Sequence, residues 1–185
     1  MRKTLLTLLL LCAAPLATFA QDEELKVPAE VQPFVEAGTK AIAVEAADLN
    51  GDGRGDFVLV LEKENPAKDA DDFPVGERPL LILLRGADGK LSEAKRNERV
   101  VMCSKCGGVF GDPFEGVVAG RNTFTVMHYG GSNLRWTYSY KFNYSRLDRT
   151  WQLVRVEESE FHTSAPDKMK TRVYTPRRAG QRFQL

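Results

Sequence analysis

The chain has 185 residues, 43% of them hydrophobic, and its 26 lysines and arginines stand against 25 aspartates and glutamates, a formal net charge of +1. That near-neutral balance excludes a general nucleic-acid binder, which would be strongly basic. The length is enough for one domain with a sizeable core.

Residues 1–20 read as a signal peptide. Arg2 and Lys3 make a basic start, Leu5 to Leu11 an apolar run, and Cys12 to Ala20 a small-residue stretch ending at a cleavage site. The run is shorter than the ~20 residues a membrane helix needs, and no later stretch approaches that length. Leu11 before Cys12 argues against lipoprotein processing, which wants a small residue there. Cleavage would leave 165 residues with 24 basic against 25 acidic, since Arg2 and Lys3 depart with the leader. The expected location is periplasmic or secreted, with no membrane span after cleavage and no nucleic-acid partner.

Residues 21–40 form a polar lead-in and one short helix, predicted between Pro28 and Gly38, where Val31, Phe34 and Val35 fall at helical spacing and Gly38 suits the end. Pro33 must then lie in the first turn. From Ala41 the period changes to two, and residues 41–165 read as a β domain. Ile42, Val44 and Ala46 alternate with Ala43, Glu45 and Ala47; Phe57-Val-Leu-Val-Leu-Glu62 is a second strand. Asn65 to Arg78 is a charged, Pro-containing loop. Pro79 to Arg85 is a strand of the buried type, followed by the Asp88-Gly89 turn and a strand near Leu91–Met102. Beyond the Gly-rich stretch 107–116 come strands near Val117, at Thr123–His128, at Leu134–Tyr144 and at Trp151–Glu157. Short turns at Gly120-Arg121-Asn122 and at Arg146–Arg149 join them. Consecutive strands joined this way predict a mainly β fold, an antiparallel meander that forms a curled sheet or a sandwich. Residues 166–185 read as a basic, solvated C-terminal tail with strand character only at Arg172–Thr175.

One segment carries a chemical pattern. In Asp48-Leu-Asn50-Gly-Asp52-Gly53-Arg54-Gly-Asp56, side-chain oxygens occupy positions 1, 3, 5 and 9, a glycine stands at position 6, and the Arg54 carbonyl can serve as a further ligand. Calcium takes roughly 6–8 oxygen ligands, and alternating donors let a short loop wrap one ion. Position 12 is Leu59 rather than glutamate and the flanks are strands, so this is not an EF-hand. The segment from Ala46 to Val60 resembles the calcium loop of FG-GAP repeats, the integrin-type propeller motif. The resemblance covers about 20 residues in a single copy. It implies Asp48, Asn50, Asp52 and Asp56 as side-chain ligands of Ca2+, in a loop that joins two strands. The family's adhesive function does not carry over, because a propeller needs several blades.

Cys103 and Cys106, the two cysteines beyond the leader, are expected to form a disulfide that pins a turn. A redox dithiol would sit at a helix start, and Gly107-Gly108 makes a poor one. A zinc site would need two more ligands, with only His128 and His162 at hand. Asp112, His128, Ser132 and Arg135 mark a candidate ligand region around the Gly-rich stretch, a stretch that resembles segments of exported bacterial proteins. Asp112, His128 and Ser132 also admit a triad reading, which only geometry can decide. Trp136, Tyr138, Tyr140, Phe142 and Tyr144 alternate with polar residues, so all five share one face. That face is expected to point to the core rather than to stack on sugars.

The residues together point to an exported, calcium-stabilised binding protein rather than an enzyme, with a protein partner in the cell envelope, as an inhibitor or immunity-type factor would have. The alternative is an envelope hydrolase using the Asp112/His128 region.

Overall fold

The computed structural model describes residues 25–175; residues 1–20, expected to be a signal peptide, and the end of the basic tail lie outside them. The strands are β1 Thr39–Ala47, β2 Asp56–Lys63, β3 Ala67–Lys68, β4 Pro74–Val75, β5 Leu80–Arg85, β6 Leu91–Asn97, β7 Phe114–Gly120, β8 Thr123–Gly131, β9 Leu134–Ser145, β10 Thr150–His162 and β11 Ala165–Tyr174. They build a four-stranded sheet in the order β1-β2-β5-β6 and a five-stranded sheet in the order β11-β10-β9-β8-β7. Every pairing within the sheets is antiparallel between neighbours in this order. The expected meander is therefore present, as two sheets, with the small β3–β4 hairpin inserted in the 65–78 loop.

The sheets enclose one shared core. Val58, Val60, Leu80 and Ile82 from the first sheet meet Val117, Phe124, Val126, Phe142 and Trp151 from the second. The opposite face of the first sheet is covered too. Phe57, Leu59, Leu61, Leu81 and Leu83 pack with Val31, while Val27, Phe34 and Val35 close over them. Burial on both faces explains why β2 and β5 read as continuous apolar runs and not as alternating strands. Each such Leu or Val contributes about 1.5–3 kcal/mol by leaving water.

Three expectations are corrected. The helix between Pro28 and Gly38 is a single 3-10 turn, Gln32–Phe34. Pro33 has no N–H to extend it, and Val35 is already extended, so the segment instead lays Val31 flat into the sheet. The strand expected to Met102 ends at Asn97, whose Oδ1 accepts the N–H groups of Arg99 and Val100 and turns the chain. Residues 166–174 are not a frayed tail but most of β11, paired with β10 from His162↔Ala165 to Val156↔Tyr174. Its lysines and arginine face water from an edge strand, which reads locally as a solvated segment and also deters pairing with other chains.

The aromatic stripe divides. Phe142 is buried, and Tyr140 and Tyr144 pack against the core. Trp136 and Tyr138 continue the row beyond it: Tyr138 donates to Glu158 at 3.1 Å, and the Trp136 indole lies on the Gly130 backbone. A Cβ at residue 130 would sit 2.5 Å from Trp136 Cζ2, so glycine is required there.

Candidate metal centre and the buried charge network

The loop between β1 and β2 is held by its own carboxylates. Asp48 accepts the N–H groups of Gly51 (2.8 Å), Asp52 (3.0 Å) and Gly53 (3.1 Å). Asn50 Oδ1 accepts Asp52 N–H at 3.0 Å, and Asp52 Oδ1 accepts Arg54 N–H at 2.9 Å. Gly51 and Gly53 take φ values of +76° and +86°, where a side chain would strain the turn. Asp56 is fully buried at the start of β2 and accepts the N–H groups of Leu49 and Arg85, both at 2.9 Å. The result brings Asp48, Asp52 and Asp56 together, with one carboxylate oxygen from each within 4.8 Å of the others.

These residues fit a metal ion. The three carboxylates offer hard oxygen donors, which suits a hard divalent cation. Burial pushes the Asp56 carboxyl above its usual range; the N–H groups of Arg85 and Leu49 oppose this, and the charges of Asp52 and Asp48 add to it. A cation would offset that cost. Arg54 supplies positive charge at the same place: its guanidinium reaches Asp52 at 2.5 Å and donates to the Arg85 carbonyl at 2.8 Å. The Asp52 carboxyl, though raised by desolvation, is held below its ordinary value by Arg54 and Asn50.

The loop is fastened to the second sheet by two residues that the sequence does not single out as site residues. Trp151 Nε1 donates to the Leu49 carbonyl at 3.0 Å. Asn122, at φ +61°, donates its N–H to the Asp48 carbonyl at 2.8 Å and accepts from Tyr144 N–H. A Cβ at residue 51 would lie 2.4 Å from Asn122 Oδ1, so Gly51 is fixed by this docking as well as by its φ.

The Asp112/His128 region is organised around Arg78, a buried residue that the sequence reading places only at the end of a loop. Arg78 is 2% exposed. It binds Glu62 through Nε and Nη2, Asp112 through Nη1 (2.5 Å) and Nη2 (2.6 Å), and the Met102 carbonyl at 3.3 Å. Lys40 reaches the other Glu62 oxygen at 2.6 Å. Burial raises the Glu62 and Asp112 carboxyls, but hydrogen bonds from Lys40 and Arg78 to the first, and from Arg78 and Phe114 N–H to the second, leave both below their ordinary values. The one available clue was placement: Glu62 closes an apolar strand and Glu77-Arg78 precedes another.

His128 is 1% exposed, and its Nε2 accepts Met102 N–H at 3.1 Å. Arg78 and His128 therefore grip the two sides of one peptide segment. Among the described residues no hydrogen bond joins His128 to Asp112 or to Ser132. Ser132 is exposed in the β8–β9 turn, where its N–H donates to Leu134. Arg135 lies 3.8 Å over the Phe110 ring. Cys103 and Cys106 are joined in a disulfide, and the N–H and hydroxyl of the intervening Ser104 both donate to buried Glu77 at 2.8 Å.

Burial, together with the nearby Arg78 charge and against that of Asp112, lowers the His128 pKa from 6.5 to about 4. On acidification the unfolded chain takes the proton first. Stability is thus complete above about pH 6.5 and falls by about 3 kcal/mol as pH drops to 4. Urea unfolding between pH 7 and 4 should show this slope. His128→Gln keeps an acceptor for Met102 without a titrating ring and should flatten it; equal slopes would remove His128 as the cause.

No protein-family model, no curated protein and no solved structure matches the chain.

Proposed function

We propose that the chain is an exported binding protein whose Asp48–Asp56 loop takes calcium and thereby holds its two sheets in one arrangement for a protein partner in the cell envelope. The observation that carries this is the convergence of three carboxylates in a loop docked onto the second sheet through Leu49 and Asn122. The likeness of the loop to FG-GAP repeats supports calcium as the ion. The leader-like composition of residues 1–20 and the Cys103–Cys106 disulfide support export. Among the described residues no helix is long and apolar enough to cross a membrane. A hydrolase would need a nucleophile within reach of His128, and among the described residues no Ser, Thr or Cys hydrogen-bonds to its ring, which is buried with Nε2 accepting Met102 N–H, so the binding reading is preferred.

A ligand that binds only the native state adds RT ln(1 + [L]/Kd), about 2.7 kcal/mol at a hundredfold excess over Kd. For a chain of this length that raises the melting temperature by about 5–10 °C. The mature chain should gain this in calcium and lose it in chelator, and capture of its envelope partner should follow the same dependence. A melting curve indifferent to calcium would overturn the reading.

A further inference from the structure

On the outer face of the second sheet, away from the core, two turns converge. The β7–β8 turn brings Arg121 and Asn122, and the β9–β10 turn brings Arg146. Between them the register Thr123↔Asn143 and Thr125↔Lys141 sets Thr123, Asn143 and Lys141 on the same side. Together with Tyr144, which also packs against the core, these six residues line an open cleft of about 380 Å³.

The cleft holds three cations and amide groups. Many surface cations elsewhere are paired within the fold, as in Lys63–Glu98, Lys68–Asp72, Arg85–Glu30, Arg96–Glu36 and Arg155–Glu157. Among the described residues no salt bridge joins Lys141 or Arg146 to a carboxylate, whereas Arg155 and Arg172 on the neighbouring strands each meet one. Arg121 meets only the edge of Asp48, at 3.5 Å. Asp148, on the Arg146 turn, accepts hydrogen bonds from Ser145 at 2.8 Å and from Gln152.

Three cations held in a concavity repel one another unless an anion joins them. Two guanidinium forks, one ammonium and neutral amides suit a tetrahedral dianion better than a single carboxylate, because the forks bind paired phosphate oxygens in a fixed plane. We propose that this cleft binds a phosphate-class oxyanion, either free or as the headgroup of an anionic lipid. The cleft borders the metal loop through Arg121 and Asn122, so its test is carried by Lys141 and Arg146, which do not touch the loop's carboxylates, and its failure is distinguishable from failure of the calcium reading.

The test uses the mature chain in chelator, which removes any contribution from the loop. Inorganic phosphate is titrated by NMR beside sodium chloride of equal ionic strength, and sedimentation is measured with phosphatidylcholine vesicles with and without phosphatidic acid. Lys141 and Arg146 are exposed, so Lys141→Ala/Arg146→Ala should keep the wild-type melting curve. Saturable shifts at Thr123 and Asn143 with phosphate but not chloride, weakened about tenfold or more in the double variant, establish a free-oxyanion site. Sedimentation only with phosphatidic acid, lost in the same variant, identifies the lipid headgroup as the source. Absence of both responses, or a double variant that responds like wild type, overturns the proposal.

Discussion

Arg78→Ala is expected to destabilise the protein by about 2–3 kcal/mol, the cost of losing charge-assisted hydrogen bonds and of leaving the Met102 carbonyl unpaired. Among the described residues the guanidinium is the one bridge between Glu62 on β2 and Asp112 before β7, so its loss unties the two sheets at this point. Lys40 still faces Glu62 and the half-exposed Asp112 carboxylate can turn to water, which makes the Met102 carbonyl the main orphan. Arg78→Met combined with Glu62→Leu and Asp112→Asn removes the charges together, and should recover most of the loss, because apolar substitutes for a buried ion network are often neutral or better. Urea unfolding at pH 7 measures both. An Arg78→Ala variant within 1 kcal/mol of wild type, a margin typical of surface changes, would mean the network contributes nothing net.

Trp151→Ala should cost a similar or larger amount. Trp151 is 1% exposed, packs at a tilt of 54° against Tyr144 with ring centroids 5.0 Å apart, and holds the Leu49 carbonyl from the opposite sheet. Truncation of a buried aromatic of this size costs about 3–5 kcal/mol. Trp151→Phe keeps most of the apolar contact and loses only the Nε1 donor, which leaves a carbonyl unpaired at about 1–3 kcal/mol. The two variants separate packing from the hydrogen bond. If Trp151→Phe is as stable as wild type and its Asp48 loop amides exchange no faster, the indole does not secure the loop.

Much of the fold was legible in the strands. Period-two alternation and the Asp-Gly and Gly-Arg-Asn turns gave the meander because those signals are local. The loop chemistry was legible for the same reason, since Asp48 to Asp56 are consecutive. What the sequence hid was long-range. Arg78 meets Asp112 across 34 positions and Trp151 meets Leu49 across 102, and no local pattern announces either contact. The 3-10 turn at Gln32–Phe34 replaced a helix because Val31 finds its place on the outer face of the first sheet. β11 was obscured by its edge position, where lysines that suit a solvated tail also suit an open strand edge. The aromatic row misled at one end only. Its period correctly placed five rings on one face, but the length of the covering sheet decides how many of them it buries.

Calcium titration by calorimetry of residues 21–185, with wild type beside Asp52→Ala, tests the proposed metal loop directly. Asp52 is exposed and bonds only within its own loop, so its removal should leave the fold intact. The account predicts one saturable site in wild type and binding at least about tenfold weaker in the variant, the loss of one charged ligand. No heat of binding in wild type, or an unchanged affinity in Asp52→Ala, would contradict it.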